Sequence, residues 1–208
     1  MKPPFFQSKF DKVNLGCGGS KLSQWMNVDI QKRYCDLGEP VDLTKGIPFE
    51  SGSFSHAFSS HFIEHVDYET TMLDFLIEVN RILKPKGSFW IITPDLKKAC
   101  EAYIKDRCNE IFKDRISRNW RYKKKINNPH LYNKIIDTTT PTQHFINDLF
   151  HQGGEHKNLV DIDLLEWIGK RAGFTKVTET TDEELRNFFP EIKSRGDSLQ
   201  ALYAVLEK

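Results

Sequence analysis

The chain has 208 residues, a size that one domain with a substantial core accommodates. Thirty basic residues against 29 acidic ones leave a formal charge of +1, so nothing global demands a nucleic acid or a membrane surface as partner. No apolar run approaches the roughly 20 residues of a membrane span. The start, MKPPFFQSKF, lacks a signal-peptide core, and the cysteines at 17, 35, 100 and 108 show no C-x-x-C spacing, which predicts a cytoplasmic chain with reduced thiols.

The first predicted element is a buried strand, Val13-Asn14-Leu15, running into the glycine-dense turn Gly16-Cys17-Gly18-Gly19. Glycines there permit a sharp turn and a close ligand approach to the main chain. A second apolar run, Asn27-Val28-Asp29-Ile30, ends in an acid placed to accept hydrogen bonds from ribose hydroxyls. Together they point to an adenosine-containing cofactor. A dinucleotide fingerprint wants G-x-G-x-x-G, a full helix and an acid about 20 residues on. Here only thirteen positions separate Gly16 from Asp29, which suits a nucleoside with an amino-acid tail better than a dinucleotide. No Lys-Ser or Lys-Thr closes the turn, so a P-loop is excluded.

Val41-Asp42-Leu43 reads as a further short strand ending at an acid. Ser53 to Ser60 is a half-apolar strand leading into His61-Phe62-Ile63-Glu64-His65. A helix follows, with Met72, Phe75, Leu76, Val79, Ile82 and Leu83 on one face, stopped by Pro85 and Gly87. Ser88 to Asp95 reads as a buried parallel strand. Strands alternating with crossovers imply a mostly parallel sheet with its ligand site at the strands' C-terminal ends, where Gly16, Asp29, Asp42 and Ser60 fall.

Lys97 to Phe112 can form a helix. Residues 113–125 then carry seven basic residues and one acid, with Trp120 and Tyr122 interleaved. Such a segment either solvates a surface or grips an anionic acceptor such as a nucleotide-sugar or RNA. His144, His151 and His156 follow at spacings of seven and five, which match no zinc signature, so no metal site is expected. His156, in a Gly-Gly-Glu-His loop able to fold over the strand ends, is the better candidate for a general base, and His144 and His151 are read as packing residues. Asp161 is expected to cap a helix ending at Ala172-Gly173. Thr175–Thr180 and Leu199–Leu206 supply the last two strands.

The segments VNLGCGGS, WMNVDI, VDLTKGIPFESGSFSHAFSSHFIEHV and RILKPKGSFWIITPDL, and more loosely GGEHKNLVDIDLLEWIGKRAGFTKV, resemble the class I S-adenosylmethionine-dependent methyltransferases. The similarity covers 12–95 nearly continuously and 153–180 with less specificity. Asn14 stands where the family usually carries an acid, as in a subgroup with a shortened first helix, and the turn reads G-C-G-G instead of G-x-G-x-G. The resemblance implies an α/β, Rossmann-like, doubly wound fold with a mostly parallel seven-stranded sheet, an antiparallel last strand and an insertion after strand 5. It implies one domain over 1–208: a cofactor-binding half at 12–95, an acceptor-binding insertion at 96–156 and sheet completion at 157–208.

By position, Asn14 joins the cofactor site, and Gly16, Cys17 and Gly18 would present backbone N–H and C=O groups to the methionine portion of S-adenosylmethionine. Asp29 would bind ribose and Ile30 the adenine face. Asp42 would take the adenine amino group unless it merely caps a turn, and the Leu43 N–H would donate to a ring nitrogen. Ser60 and His61 would flank the sulfonium, with His61 a second candidate base. S-adenosylhomocysteine would be the product, and the acceptor a small molecule or saccharide methylated at oxygen. Three other readings stay open: RNA methylation, a nicotinamide-dinucleotide enzyme, and a catalytically silent cofactor-binding or partner-binding module. The first rests only on the basic segment, and the Asn/Asp-Pro-Pro-Tyr/Phe run usual in amino-group methylases of nucleic acids is replaced by Ser59-Ser60-His61-Phe62.

Overall fold

The computed structural model describes residues 5–105, 110–111, 113–114 and 141–208. Its centre is a sheet of six strands among the described residues: β1 (Lys12–Leu15), β2 (Met26–Val28), β3 (Phe54–Ser60), β4 (Leu83–Pro94), β5 (Lys176–Glu179) and β6 (Ala201–Glu207). Their order is β2-β1-β3-β4-β6-β5. The first four run parallel, and β6 is antiparallel to both β4 and β5.

The mostly parallel sheet and its antiparallel last strand match the expected α/β pattern, with six strands among the described residues where seven were expected. The strand expected at Val41–Leu43 is not there. Val41 N–H makes one backbone bond, to the Asp29 carbonyl at 3.0 Å, and the chain then turns into a 3-10 segment over Leu43–Lys45. Pro40, with no N–H to offer a ladder, precedes it. The Asp42 carboxylate takes the Thr44 N–H, a local bond that competes with sheet pairing.

Helix α1 (Met72–Ile82) buries Met72, Phe75, Leu76, Val79 and Ile82, the face its i, i+3, i+4 spacing requires. Each such side chain contributes about 1.5–3 kcal/mol relative to exposure. Leu83 leaves the helix and opens β4. The Pro85–Gly87 segment is absorbed into that strand as a shift in pairing register with β3, where Lys86 adopts φ +66°.

Asp95 caps α2 (Leu96–Ile104), and α3 spans Thr142–His151. Helix α4 (Ile162–Arg171) is capped by Asp161 as expected, with Gly173 at φ +93° just past its end. Helix α5 (Asp182–Phe188) begins with a Thr181/Glu184 capping box. One sheet face shares a core with α1 and α4, through Phe75, Phe89, Leu165 and Ile168. The other packs Trp25, Phe58, Trp90 and Tyr203 against Leu185 and Phe189. With both faces covered, the C-terminal edge of the parallel strands is the open place for a ligand. No helix among the described residues is long and apolar enough to cross a membrane.

Candidate functional site

The glycine turn follows β1 directly. Gly16 (φ +67°) and Gly18 (φ +50°) both take left-handed backbone. A Cβ at Gly16 would stand 2.3 Å from Cδ2 of Phe62, so that ring requires a glycine there, whereas at Gly18 nothing lies within 4 Å. The turn's N–H groups are used internally. Gly16 and Cys17 donate to the Val28 carbonyl (2.9 and 3.2 Å), and Gly18 donates to Asp29 Oδ2 (2.8 Å). Of the N–H and C=O groups expected to face a ligand at Gly16, Cys17 and Gly18, the three N–H groups are already engaged within the protein.

Burial, aided by the nearby Asp29 charge, pushes the Cys17 thiol up to about 12, so it is an inert packing group. Asn14 is buried, and its amide donates to the Ser20 carbonyl (3.0 Å) and to Asn27 Oδ1 (3.1 Å). It braces the turn against β2, and those bonds, not a ligand, take its side-chain donor.

Asp29 follows β2 directly and is almost fully buried. Its Oδ2 accepts from Gly18 N–H and its Oδ1 from Gln31 N–H (2.7 Å). Each carboxylate oxygen has two lone pairs, so each retains one. Ile30 beside it is 61% exposed, an apolar surface next to an acid. Asp42 caps the 3-10 turn: Oδ1 accepts from the Thr44 hydroxyl (2.6 Å) and N–H, and Oδ2 pairs with Lys45 at 3.1 Å. The Thr44 hydroxyl, more than Lys45, holds this carboxyl below its ordinary range. Leu43, buried, opens that turn.

The end of β3 carries Ser59 and Ser60, whose buried hydroxyls have no hydrogen-bond partner among the described residues. His61 follows at φ +53°. Its Nδ1 faces Glu64 Oε1 at 3.0 Å and its Nε2 faces Asp197 Oδ2 at 2.9 Å. Ionised carboxylates only accept, so both ring nitrogens donate and the ring is an imidazolium. Burial opposes that charge, but the bonds to Asp197 and Glu64 outweigh it and raise the pKa of His61. Asp197 is lowered to about 2 despite its burial, mainly by His61. It also accepts from the Tyr203 hydroxyl (2.6 Å) and Arg195 Nε (3.3 Å), and Glu64 Oε2 accepts from Thr93 Oγ1 (3.2 Å). His61 therefore has no lone pair for a substrate proton, which corrects its expected role as a base.

His156 is buried, with Nδ1 2.6 Å from the Leu149 carbonyl and its ring edge-on to His65 at 5.0 Å between centroids. Its loop docks on the 3-10 turn Ile63–His65: Lys157 N–H donates to the Glu64 carbonyl (2.8 Å), and Asn158 Nδ2 donates to the carbonyls of Ile63 (2.9 Å) and Val66. The loop does reach the end of β3, but His156 lies beneath it instead of at an open mouth. His144 is half-buried and His151 exposed on α3. The basic segment from Arg115 to Lys125, with Trp120 and Tyr122, lies outside the described residues.

Sequence reasoning missed Glu64 and Asp197 as partners of His61. The His61/Glu64 spacing of three in a turn was a usable signal. Asp197, 136 positions away, left none.

A parallel sheet with a reversed last strand, a glycine turn after β1 and a buried acid after β2 define a Rossmann-like methyltransferase architecture. Residues 13–91 match the family model described as a methyltransferase domain, and this stretch is a class I S-adenosylmethionine-dependent methyltransferase domain. No curated protein matches the sequence significantly.

Among solved structures, a SAM-dependent methyltransferase of Thermotoga maritima, described as a possible histamine N-methyltransferase, shares the fold. It is 14% identical, with a TM-score of 0.52, over 97% of this chain and 83% of that one. The CMeT domain of the citrinin polyketide synthase shares it at 11% identity and a TM-score of 0.52, over 98% of this chain and 47% of that one. A SAM-dependent methyltransferase from Archaeoglobus fulgidus is 16% identical with a TM-score of 0.49, over 98% and 88%.

Proposed function

We propose that the chain, acting as one domain over 1–208, methylates an oxygen of a small-molecule or saccharide acceptor, with residues 96–156 on the acceptor side. Asp29 carries the cofactor part of this reading: a buried carboxylate at a strand's C-terminal end whose two oxygens each keep a lone pair for a ribose hydroxyl. Ile30 supplies an apolar face for adenine and Leu43 N–H a donor to its ring, while Asp42 caps the turn that presents Leu43. The open space at Gly18 admits the amino-acid tail, whose ammonium meets the turn's carbonyls. The buried hydroxyl of Ser60 lies at the strand end nearest the reacting centre.

S-adenosylmethionine, when bound, supplies an electrophilic methyl group on a sulfonium leaving group. The protein's part is to hold donor and acceptor in line and to exclude water. His61 is a positioning residue here, an imidazolium that fixes the end of β3 to Glu64 and Asp197. With His61 doubly paired and His156 buried, a small molecule with an oxygen acidic enough to lose its proton to solvent, such as a phenol or carboxylic acid, fits better than a saccharide hydroxyl. Ser59-Ser60-His61-Phe62, in place of the clamp of nucleic-acid amino-group methylases, disfavours a nucleobase amino group as acceptor.

Calorimetry should show binding of S-adenosylmethionine and S-adenosylhomocysteine and none of NAD. Asp29→Ala should weaken that binding by about 1.5–3 kcal/mol, the range for hydrogen bonds to a charged group. Tight NAD binding, or unchanged affinity in the variant, overturns the cofactor assignment. Methyl-labelled cofactor should then label hydroxylated small molecules or saccharides. Labelling confined to amines or RNA rejects the oxygen reading.

A further inference from the structure

Glu64, His65 and His156 each bring a potential ligand atom within 4.8 Å of the others. From this geometry we infer a binding site for one divalent transition-metal ion of the zinc class, held by a carboxylate oxygen of Glu64 and the Nε2 atoms of His65 and His156. The set is not the histidine trio that the sequence spacing brings to mind. Two of its members lie in the turn after β3, and the third comes from a loop 91 positions later in the chain.

Both imidazoles are held in the tautomer a metal needs. Nδ1 of His156 faces the Leu149 carbonyl at 2.6 Å, and Nδ1 of His65 faces the Glu155 carbonyl at 3.0 Å. A carbonyl only accepts, so each Nδ1 carries a proton and Nε2 is the atom left to bind a metal. An Nδ1–H bond to a backbone carbonyl is the usual outer support of a metal-bound histidine.

Glu64 is oriented from behind in the same way. His61 Nδ1–H donates to Oε1 and the Thr93 hydroxyl to Oε2, so the carboxylate is anchored and each oxygen keeps a further lone pair. Its charge is balanced by the His61 imidazolium, which leaves the added charge of a cation to be met by the three ligands and solvent. Two imidazoles and one carboxylate suit zinc, cobalt or nickel. Magnesium and calcium want oxygen ligands throughout.

Bonds of about 2.0–2.1 Å require the ligand atoms to close by roughly an ångström. His65 is half-buried and can swing inward, while the backbone bonds from Lys157 and Asn158 to the Glu64 carbonyl already dock the two segments. Three protein ligands leave a fourth position for water. An ion there would pin the loop 152–158 to the end of β3.

The full chain, without an affinity tag and stripped with a chelator, should bind one Co²⁺ per molecule with visible d–d absorption. Zn²⁺ should displace it and raise the Tm. His65→Ala, at a half-buried position, should leave the stripped protein's Tm near wild type, weaken Co²⁺ binding at least about tenfold and remove the bands. His156→Ala should do the same wherever it folds, and His144→Ala and His151→Ala should change nothing. No stoichiometric binding at a tenfold excess of Co²⁺, or bands retained in His65→Ala, overturns the site.

Discussion

Glu64→Ala in metal-free protein should lower the unfolding free energy by about 3–5 kcal/mol, the cost of removing one partner from a buried ion pair. Glu64 is 1% exposed and accepts from both His61 and Thr93. Its loss leaves an imidazolium with Asp197 as its single counter-charge and a buried hydroxyl with no acceptor. Glu64→Gln keeps the volume and one acceptor oxygen, so it should lose less. Urea denaturation of the three proteins measures this, and a loss below about 1 kcal/mol in Glu64→Ala would place the cluster among solvated surface pairs.

The same cluster sets the pH dependence. Asp197 and Glu64 have lowered pKa values, so their contributions are present above the ordinary carboxylate range and fade as pH falls, for Asp197 down to about 2. His61 is raised, so its contribution is complete below about pH 6.5 and is lost as pH climbs through the elevated value. Stability should therefore peak between about pH 4.5 and 6.5 and decline on both sides. In Glu64→Ala the alkaline decline should be smaller and end at lower pH, because one of the two groups holding the proton on His61 is gone.

Gly16→Ala should cost about 2–5 kcal/mol. About 1–2 come from left-handed backbone in a residue with a Cβ, and about 1–3 from forcing that Cβ into the Phe62 ring. Phe62 also packs on Phe75 of α1, at 5.4 Å between centroids, so it cannot withdraw without opening the core. Gly18→Ala is the control: its φ is also positive but its Cβ would meet nothing, so only the backbone cost of about 1–2 kcal/mol remains. Thermal denaturation separates the two, and equal losses would mean that Phe62 yields. Because Phe62 precedes the Glu64 turn, Gly16→Ala should also weaken cofactor binding, whereas Ile30→Ala should do so without loss of stability.

What was legible in the sequence was whatever a short window encodes. The α1 stripe from Met72 to Ile82, the Asp161 cap, and Asp29 at its distance from Gly16 are patterns of periodicity, capping and spacing. The strand expected at 41–43 failed because three apolar-acid-apolar residues look alike whether they pair or turn, and the Asp42–Thr44 bond decides. The roles of His61 and His156 failed for another reason. A histidine's chemistry depends on what faces its two nitrogens, and for His61 one of those groups is Asp197, brought in by the loop before β6. For His156 it is burial, under a loop docked on the Ile63–His65 turn, that keeps it from an open mouth, and no residue type announces that.

β4 is twelve residues long, its segment Gly87–Pro94 is buried throughout, and it lies between β3 and β6. During synthesis β3 and α1 are at hand early, but β6 emerges more than a hundred residues after β4 has left the ribosome. At about 5–20 residues per second the free side of β4 is uncovered for roughly five to twenty seconds. A long apolar strand with one unpaired side is a template for pairing with other chains. Fragments that stop before Ala201 should therefore aggregate even though they contain the whole glycine turn and Asp29. Overexpression should favour inclusion bodies at high temperature and soluble protein when a holdase chaperone covers that edge.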